Sequence, residues 1–407
     1  LGVYDCRVTQ DEDYLNILCR DHVLFLPQCW NSEVFGEMLD KPQDCKLIHY
    51  IMVAKPWHFT DCCLGDIFWS YASETEFHDE IKAVLDAYTD EQREADMASA
   101  DRLYQLAIDE TAREDSYVAR VRAKQDAGRV GVVDKIALYE REGRFDEDVE
   151  DDPPGRAIEP GEVDYLRKKI KSKIRCKIAY SMARKFLKGI LKNQQMIVRD
   201  IVGLENYAEL DTGAIITCNH FNAFDSFAMQ IAYESAGQKR KRKLYRVIRE
   251  GNYTAFPGFF GFLMRNFYTL PLSSNHKTMR KFMAGVNELL STGHFVLVYP
   301  EQSMWWNYRK PKPLKPGAFS FAAKNGVPVL PIFISMRDSG VLGPDGYYVQ
   351  EYKMHIGKPI YPDSDAGSRE NIDVMMKENE RVWREIYERE YQIPLEYTTE
   401  AESSVAQ

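Results

Sequence analysis

Residues 214–225 read AIITCNHFNAFD. Ala214–Thr217 is a short apolar and β-branched run suited to a buried strand, and Asn219-His220 follows almost at once. Helix-compatible sequence begins at Asp225, five residues after the histidine. A strand that passes through a turn into a helix sets His220 at the carboxyl edge of a sheet, where open α/β folds gather their sites. The turn between them can bring the Asp225 carboxylate back to the imidazole. A carboxylate there fixes the tautomer and leaves the other ring nitrogen free to take a proton from a hydroxyl. The spacing alone favours a structural histidine beside a helix start over a catalytic pair.

Downstream the pattern alternates. Lys243–Ile248 (KLYRVI), Phe295–Tyr299 (FVLVY) and Pro328–Ser335 (PVLPIFIS) read as buried strands. Ser226–Glu234, Lys277–Leu290 and Ala318–Lys324 read as the helices between them. This order predicts an α/β domain around a largely parallel sheet. Glu370–Tyr391 predicts one more charged helix, and the last ten residues are expected to fray.

Upstream lies Asp164–Asn193, in which Ile170, Ile174, Ile178, Met182, Phe186 and Ile190 recur every four residues among lysines and arginines. A basic helix with such a stripe suits the surface of an anionic bilayer, and it also suits a helix docked on its own domain. Asp146–Glu162 (DEDVEDDPPGRAIEPGE) joins an acidic run to three prolines and two glycines, the composition of a linker. Glu76–Glu142 is helical in pattern and rich in acid, and residues 1–71 read as irregular α/β structure. No internal repeat is evident.

With 407 residues, 44% apolar and 28% charged, the chain has the composition of a folded protein of two or three domains. A net charge of −9 argues against nucleic acid as the main partner. Eight cysteines without a CxxC pair, in a chain of this size, predict free thiols. No targeting segment is read at Leu1-Gly2-Val3, and no apolar run approaches the ~20 residues that cross a bilayer. Contact with a membrane would therefore be peripheral.

Taken in order, several segments resemble the lysophospholipid acyltransferases of the 1-acylglycerol-3-phosphate type. NHFNAFD reproduces that family's Asn-His, four residues, Asp motif at Asn219, His220 and Asp225. Phe256–Asn266 (FPGFFGFLMRN) is similar to the approach to its second motif, and Val298–Ser303 (VYPEQS) to its Pro-Glu-Gly-Thr. Lys315–Ala318 and Val327–Pro331 resemble its later helix start and strand. The resemblance implies transfer of a fatty acyl group from acyl-CoA or acyl-carrier protein to a lysophospholipid hydroxyl, without a cofactor, metal or acyl-enzyme. It implies His220 as base, Asp225 as its orienting partner, and Asn219, Glu301, Gln302 and Ser303 as substrate contacts, with Glu301 near the acceptor glycerol. Val329 and Pro331 fit either an acyl-chain wall or plain strand packing. The location it implies is the cytoplasmic face of a membrane.

Two departures bear on the acceptor. Gln302-Ser303 replaces Gly-Thr, and Leu270–Asn275 (LPLSSN) lacks the arginine that usually meets phosphate. Arg309, Lys310, Lys312 and Lys315 are the cations able to substitute. That run, beside Trp305-Trp306, fits a solvated loop or a membrane patch equally well, so lysophosphatidate is only the default acceptor.

Near the start, His49–Trp57 (HYIMVAKPW), Asp11–Asn16 (DEDYLN) and Leu26–Asn31 (LPQCWN) resemble the closing motifs of glycosyltransferase family 8. There the positions of His49, Lys55 and Asp11 would serve metal, phosphate and sugar. Only the last part of that family's domain is matched, and Met52 stands where it has glycine. These residues are therefore expected to be a remnant without a metal, at the end of a domain truncated before Leu1. The expected organisation is a glycosyltransferase-like fragment (1–75), an acidic helical connector and linker (76–163), a basic interfacial helix (164–193) and an acyltransferase domain (194–395). The competing readings are a metal-dependent glycosyltransferase and a lipid-binding pseudoenzyme.

Overall fold

The computed structural model describes residues 15, 18–19, 30–34, 45–151, 155–238 and 242–399, and the chain forms two units, residues 1–125 and 126–407. In the first unit, strands β1 (Ser32–Val34) and β2 (Ile48–Tyr50) pair in parallel. Helices α1 (Gly65–Ala72), α2 (His78–Ala87), α3 (Asp90–Ala112) and α4 (Tyr117–Arg122) follow. Thr89 and Gln92 start α3 with a reciprocal capping box, at 3.2 and 2.9 Å, satisfying two otherwise orphaned amides. Met52 sits at φ 55°, in the left-handed region that explains a glycine at this position in the family resembled above.

The second unit opens with α5 (Ala127–Arg141), α6 (Ile170–Lys192), β3 (Ile197–Val202), α7 (Leu204–Ala208), β4 (Ala214–Cys218) and α8 (Asp225–Ser235). It continues through β5 (Leu244–Ile248), α9 (Glu250–Thr254), α10 (Gly258–Asn266), β6 (Thr269–Pro271), α11 (His276–Ser291) and β7 (Phe295–Val298). It closes with α12 (Gly317–Asn325), β8 (Val329–Leu342), β9 (Tyr348–Ile356) and α13 (Ser368–Tyr391). The seven strands form one sheet in the order β3-β9-β8-β4-β7-β5-β6. Every pairing is parallel except β8–β9. All five residues of central β4 are buried, as an apolar run between two sheet faces requires.

Helix α6 departs from the expected stripe. Asp164 accepts from the amides of Lys168 and Lys169 at 3.2 and 2.9 Å, and the helix proper begins at Ile170. Its docking face is Cys176, Ala179, Ala183, Leu187 and Ile190. A four-residue spacing advances about 40° per step around a 3.6-residue helix, so the isoleucine stripe winds round it. Ile170, Ile174 and Ile178 are exposed at 76, 53 and 48%, whereas Met182 and Phe186 turn inward.

The acidic, proline-bearing segment is a packed strap and not a free linker. Phe145 stacks on Trp305 at 5.5 Å, the Trp305 indole donates to the Glu147 carbonyl at 2.8 Å, and Val149 and Ile158 are buried. The Ile158 amide donates to Glu250 at 2.7 Å, and its carbonyl accepts from Thr278 at 2.8 Å. The expected connector is thus divided: α5 and the strap fold with the α/β unit. Residues 400–407 lie outside the described residues, but Tyr397, Thr398 and Thr399 are hydrogen-bonded to Pro311 and Glu140.

Candidate active site

Strands β4 and β7 are parallel neighbours, with Thr217 opposite Val298. Residues just past their ends therefore meet at one edge of the sheet, which juxtaposes His220 with Tyr299 and Glu301. Asp225 opens α8, its amide bonded to the Asn222 carbonyl at 3.1 Å, so a single turn returns the carboxylate to the histidine. His220 Nδ1 lies 2.5 Å from Asp225 Oδ2. The Asp225 side chain is 2% exposed and that of His220 24%, so the imidazole is the part of the pair that reaches solvent. With Nδ1–H donated to the carboxylate, Nε2 is left as the proton acceptor.

Tyr299 completes the arrangement. Its hydroxyl donates to Asp225 Oδ1 at 2.8 Å, and its ring stacks on the imidazole with centroids 4.2 Å apart. Burial, followed by the Asp225 charge, raises the Tyr299 pKa well above the ordinary value, so the hydroxyl remains a donor.

Glu301 is turned inward. Its two oxygens accept from the backbone amides of His220 and Lys312, each at 2.8 Å. The carboxylate is thus a clamp on the His220 backbone, not a group facing an acceptor glycerol. Burial raises Glu301 and lowers Lys312 to about 8, while their mutual attraction across 4.0 Å opposes both shifts. The Lys312 ammonium also donates to the Ser303 carbonyl and hydroxyl, each at 2.7 Å.

Several expected substrate contacts have structural partners instead. The Asn219 amide bridges to β8, donating to the Ile334 carbonyl at 3.1 Å and accepting from its amide at 2.8 Å, and so extends the sheet by one side chain. Ser303 is buried and donates to the Phe145 carbonyl at 2.6 Å. Gln302 adopts φ 66°, and its carbonyl accepts from Arg249 at 2.9 Å. Arg309 pairs with Asp338 at 2.8 Å, Lys310 with Glu140 at 2.6 Å and Lys315 with Asp146 at 3.0 Å. Trp305 and Trp306 are 0 and 9% exposed, which removes them from any membrane patch. Val329 and Pro331 are buried strand residues of β8.

Gly261, in the FPGFFG segment, belongs where it is. A Cβ there would come within 1.8 Å of the Phe256 carbonyl oxygen.

At the glycosyltransferase-like motifs, His49 Nδ1 lies 3.1 Å from Asn31 Oδ1, and the Lys55 ammonium donates to the Tyr50 carbonyl. Asp11 lies outside the described residues. Among the described residues, no three His, Cys, Asp or Glu side chains converge as a metal site.

Sequence reading missed Tyr299, taken there as the end of a strand, and the inward role of Lys312. The signal was present for Tyr299, which lies two residues before Glu301, whereas Lys312 lies 11 residues after it and meets it only through the fold.

The class defined by this fold and site is an α/β protein with a His–Asp pair at the carboxyl edge of its sheet. Residues 198–335 match the Acyltransferase family model, and residues 6–61 match the Glycosyl transferase family 8 model. The chain is 30% identical over 167 residues to 1-acyl-sn-glycerol-3-phosphate acyltransferase BAT2, chloroplastic, of Brassica napus. That match covers 40% of this chain and 45% of the relative, so the chain spans under half the length of the relative. It also aligns with the crystal structure of the 1-acyl-sn-glycerophosphate (LPA) acyltransferase PlsC from Thermotoga maritima at 20% identity and a TM-score of 0.37. That alignment covers 57% of this chain and 87% of the other.

Proposed function

We propose that the second unit transfers a fatty acyl group from an acyl thioester to a lysophospholipid hydroxyl. The observation that carries this reading is the 2.5 Å contact between His220 Nδ1 and a buried Asp225, with the imidazole itself partly exposed. His220 Nε2 takes the proton of the acceptor hydroxyl, and the oxygen attacks the thioester carbonyl. The tetrahedral adduct collapses, the carbon–sulfur bond breaks, and the thiolate leaves with the proton that His220 had taken. Asp225 stabilises the imidazolium between these two proton transfers. A general base of this kind contributes roughly 10²–10⁴-fold.

The similarity to a 1-acylglycerol-3-phosphate acyltransferase makes lysophosphatidate the first acceptor to try, with acyl-CoA or acyl-carrier protein as donor. The exposed Ile170, Ile174 and Ile178, flanked by exposed Lys171, Lys173, Arg175 and Lys177, support docking on an anionic bilayer from its cytoplasmic side. Among the described residues, no helix is long and apolar enough to cross one. Release of free thiol from palmitoyl-CoA, with and without lysophosphatidate, tests the reading. Acceptor-dependent release that His220→Ala loses supports it, and release indifferent to acceptor and to His220 rejects it.

The match of residues 6–61 to Glycosyl transferase family 8 favours a second reading for the first unit, sugar transfer. A nucleotide-sugar assay with added Mn²⁺ separates it from acyl transfer, which requires no added metal.

A further inference from the structure

We propose that Tyr299 is a positioning residue for acyl transfer, holding the catalytic pair by two independent contacts; this rests on the acyltransferase reading above. The first contact is the hydroxyl bond to Asp225 Oδ1, the oxygen that His220 does not use. A carboxylate with one oxygen engaged is free to rotate about its Cα–Cβ and Cβ–Cγ bonds. With both oxygens engaged it presents Oδ2 to Nδ1 in one orientation. The second contact is the stacked ring, 21° from parallel with the imidazole. It limits rotation of the histidine out of the plane in which Nε2 meets an acceptor hydroxyl. Such preorganisation lowers the barrier because the groups need not reorient during reaction.

The other groups close to this pair are fixed by their own surroundings. Cys218 on β4 and Tyr352 on β9 are both raised by burial and then by the Asp225 charge, so they stay neutral. Arg246 on β5 is buried and bonded to Ser226 at 3.1 Å and to Gln230. Glu301 and Lys312 face the backbone side of His220 as a coupled pair. Tyr299 is therefore the hydroxyl donor to Asp225 whose removal alters the pair without removing a charge.

Tyr299→Phe keeps the ring and deletes only that bond. Two readouts are taken on the full chain: steady-state acyl transfer, and the NMR resonance of the His220 Nδ1–H without substrates. The expected results are a kcat about tenfold lower, the scale of a hydrogen bond to a charged group, with KM for acceptor and donor unchanged. The His220 Nδ1–H resonance moves, because Asp225 no longer has both oxygens engaged. Tyr299→Leu, which also removes the stacking face, is expected to lower kcat further. Unchanged kcat and an unchanged His220 Nδ1–H resonance in Tyr299→Phe would overturn the proposal. So would a loss of kcat that only follows the fraction of unfolded protein in a thermal melt. If wild type transfers no acyl group, the enzymatic reading fails, and the Nδ1–H resonance still decides whether Tyr299 holds the pair.

Discussion

At the scale of single residues, the site depends on buried polar groups whose partners are all backbone or near neighbours. Glu301 shows what that demands. Both of its oxygens accept, and an amide in its place can accept at one atom only, turning its NH₂ toward a backbone N–H. Glu301→Gln is therefore expected to destabilise the second unit by about 1–3 kcal/mol. It should also lower kcat, because the His220 backbone loses its clamp. Denaturant unfolding and steady-state kinetics on the same preparation check both effects, and an active variant of wild-type stability would restore Glu301 to a substrate-facing role.

At the scale of elements, two segments carry the testable content. Ile158 in the strap is fully buried, with its carbonyl bonded to Thr278 of α11, so Ile158→Ala is expected to cost about 2–4 kcal/mol in unfolding free energy. A solvated linker would show no such cost. The exposed isoleucines of α6 make the opposite case. Replacing Ile170, Ile174 and Ile178 with serine should leave the thermal midpoint unchanged and weaken partitioning onto anionic vesicles by about tenfold or more, since each isoleucine loses its burial in the lipid surface. Vesicle cosedimentation reads this directly, and equal binding by the variant would move membrane contact elsewhere on the chain.

Much of this architecture was legible in the sequence, and the failures have physical causes. Helices α8, α11, α12 and α13 fall within two residues of their expected ends, because apolar periodicity and caps such as Asn275 mark them. The His–Asp pair was legible because a strand, a turn and a helix start leave it one geometry. Strands β3 and β9 were not read, since IVRDIV, at the edge of the sheet, and YVQEYKMHI, beside it, mix charges into the apolar pattern. The strap was misread because its composition is that of a linker, whereas its docking depends on a few residues, Phe145, Val149 and Ile158, that only tertiary contact reveals. Cations near Glu301 looked free for phosphate because their acidic partners, Glu140, Asp146 and Asp338, lie 29 to 170 residues away in the chain and only the fold brings them close.

At the scale of the whole molecule, the division after Gln125 predicts that residues 126–407 fold and transfer acyl groups without the first unit. Expression of that fragment, followed by thermal melting and the thiol assay, checks this. Its stability should also depend on pH through His355. Burial, opposed by the Glu390 charge and reinforced by Lys353 and Arg389, lowers this histidine from 6.5 to about 4. The unfolded chain then takes up the proton first as pH falls. Stability present above pH 6.5 is lost toward pH 4, by up to about 3 kcal/mol. His355→Gln should flatten that slope in urea melts.

The central claim is acyl transfer through His220, and its most direct measurement is the product itself. The full chain is incubated with palmitoyl-CoA and lysophosphatidate in anionic vesicles, and phosphatidate is quantified by mass spectrometry beside the thiol released. Wild type is expected to form one phosphatidate per thiol, and His220→Ala to lose both by at least about a hundredfold. Thiol without diacyl product, or product undiminished in the variant, would contradict it.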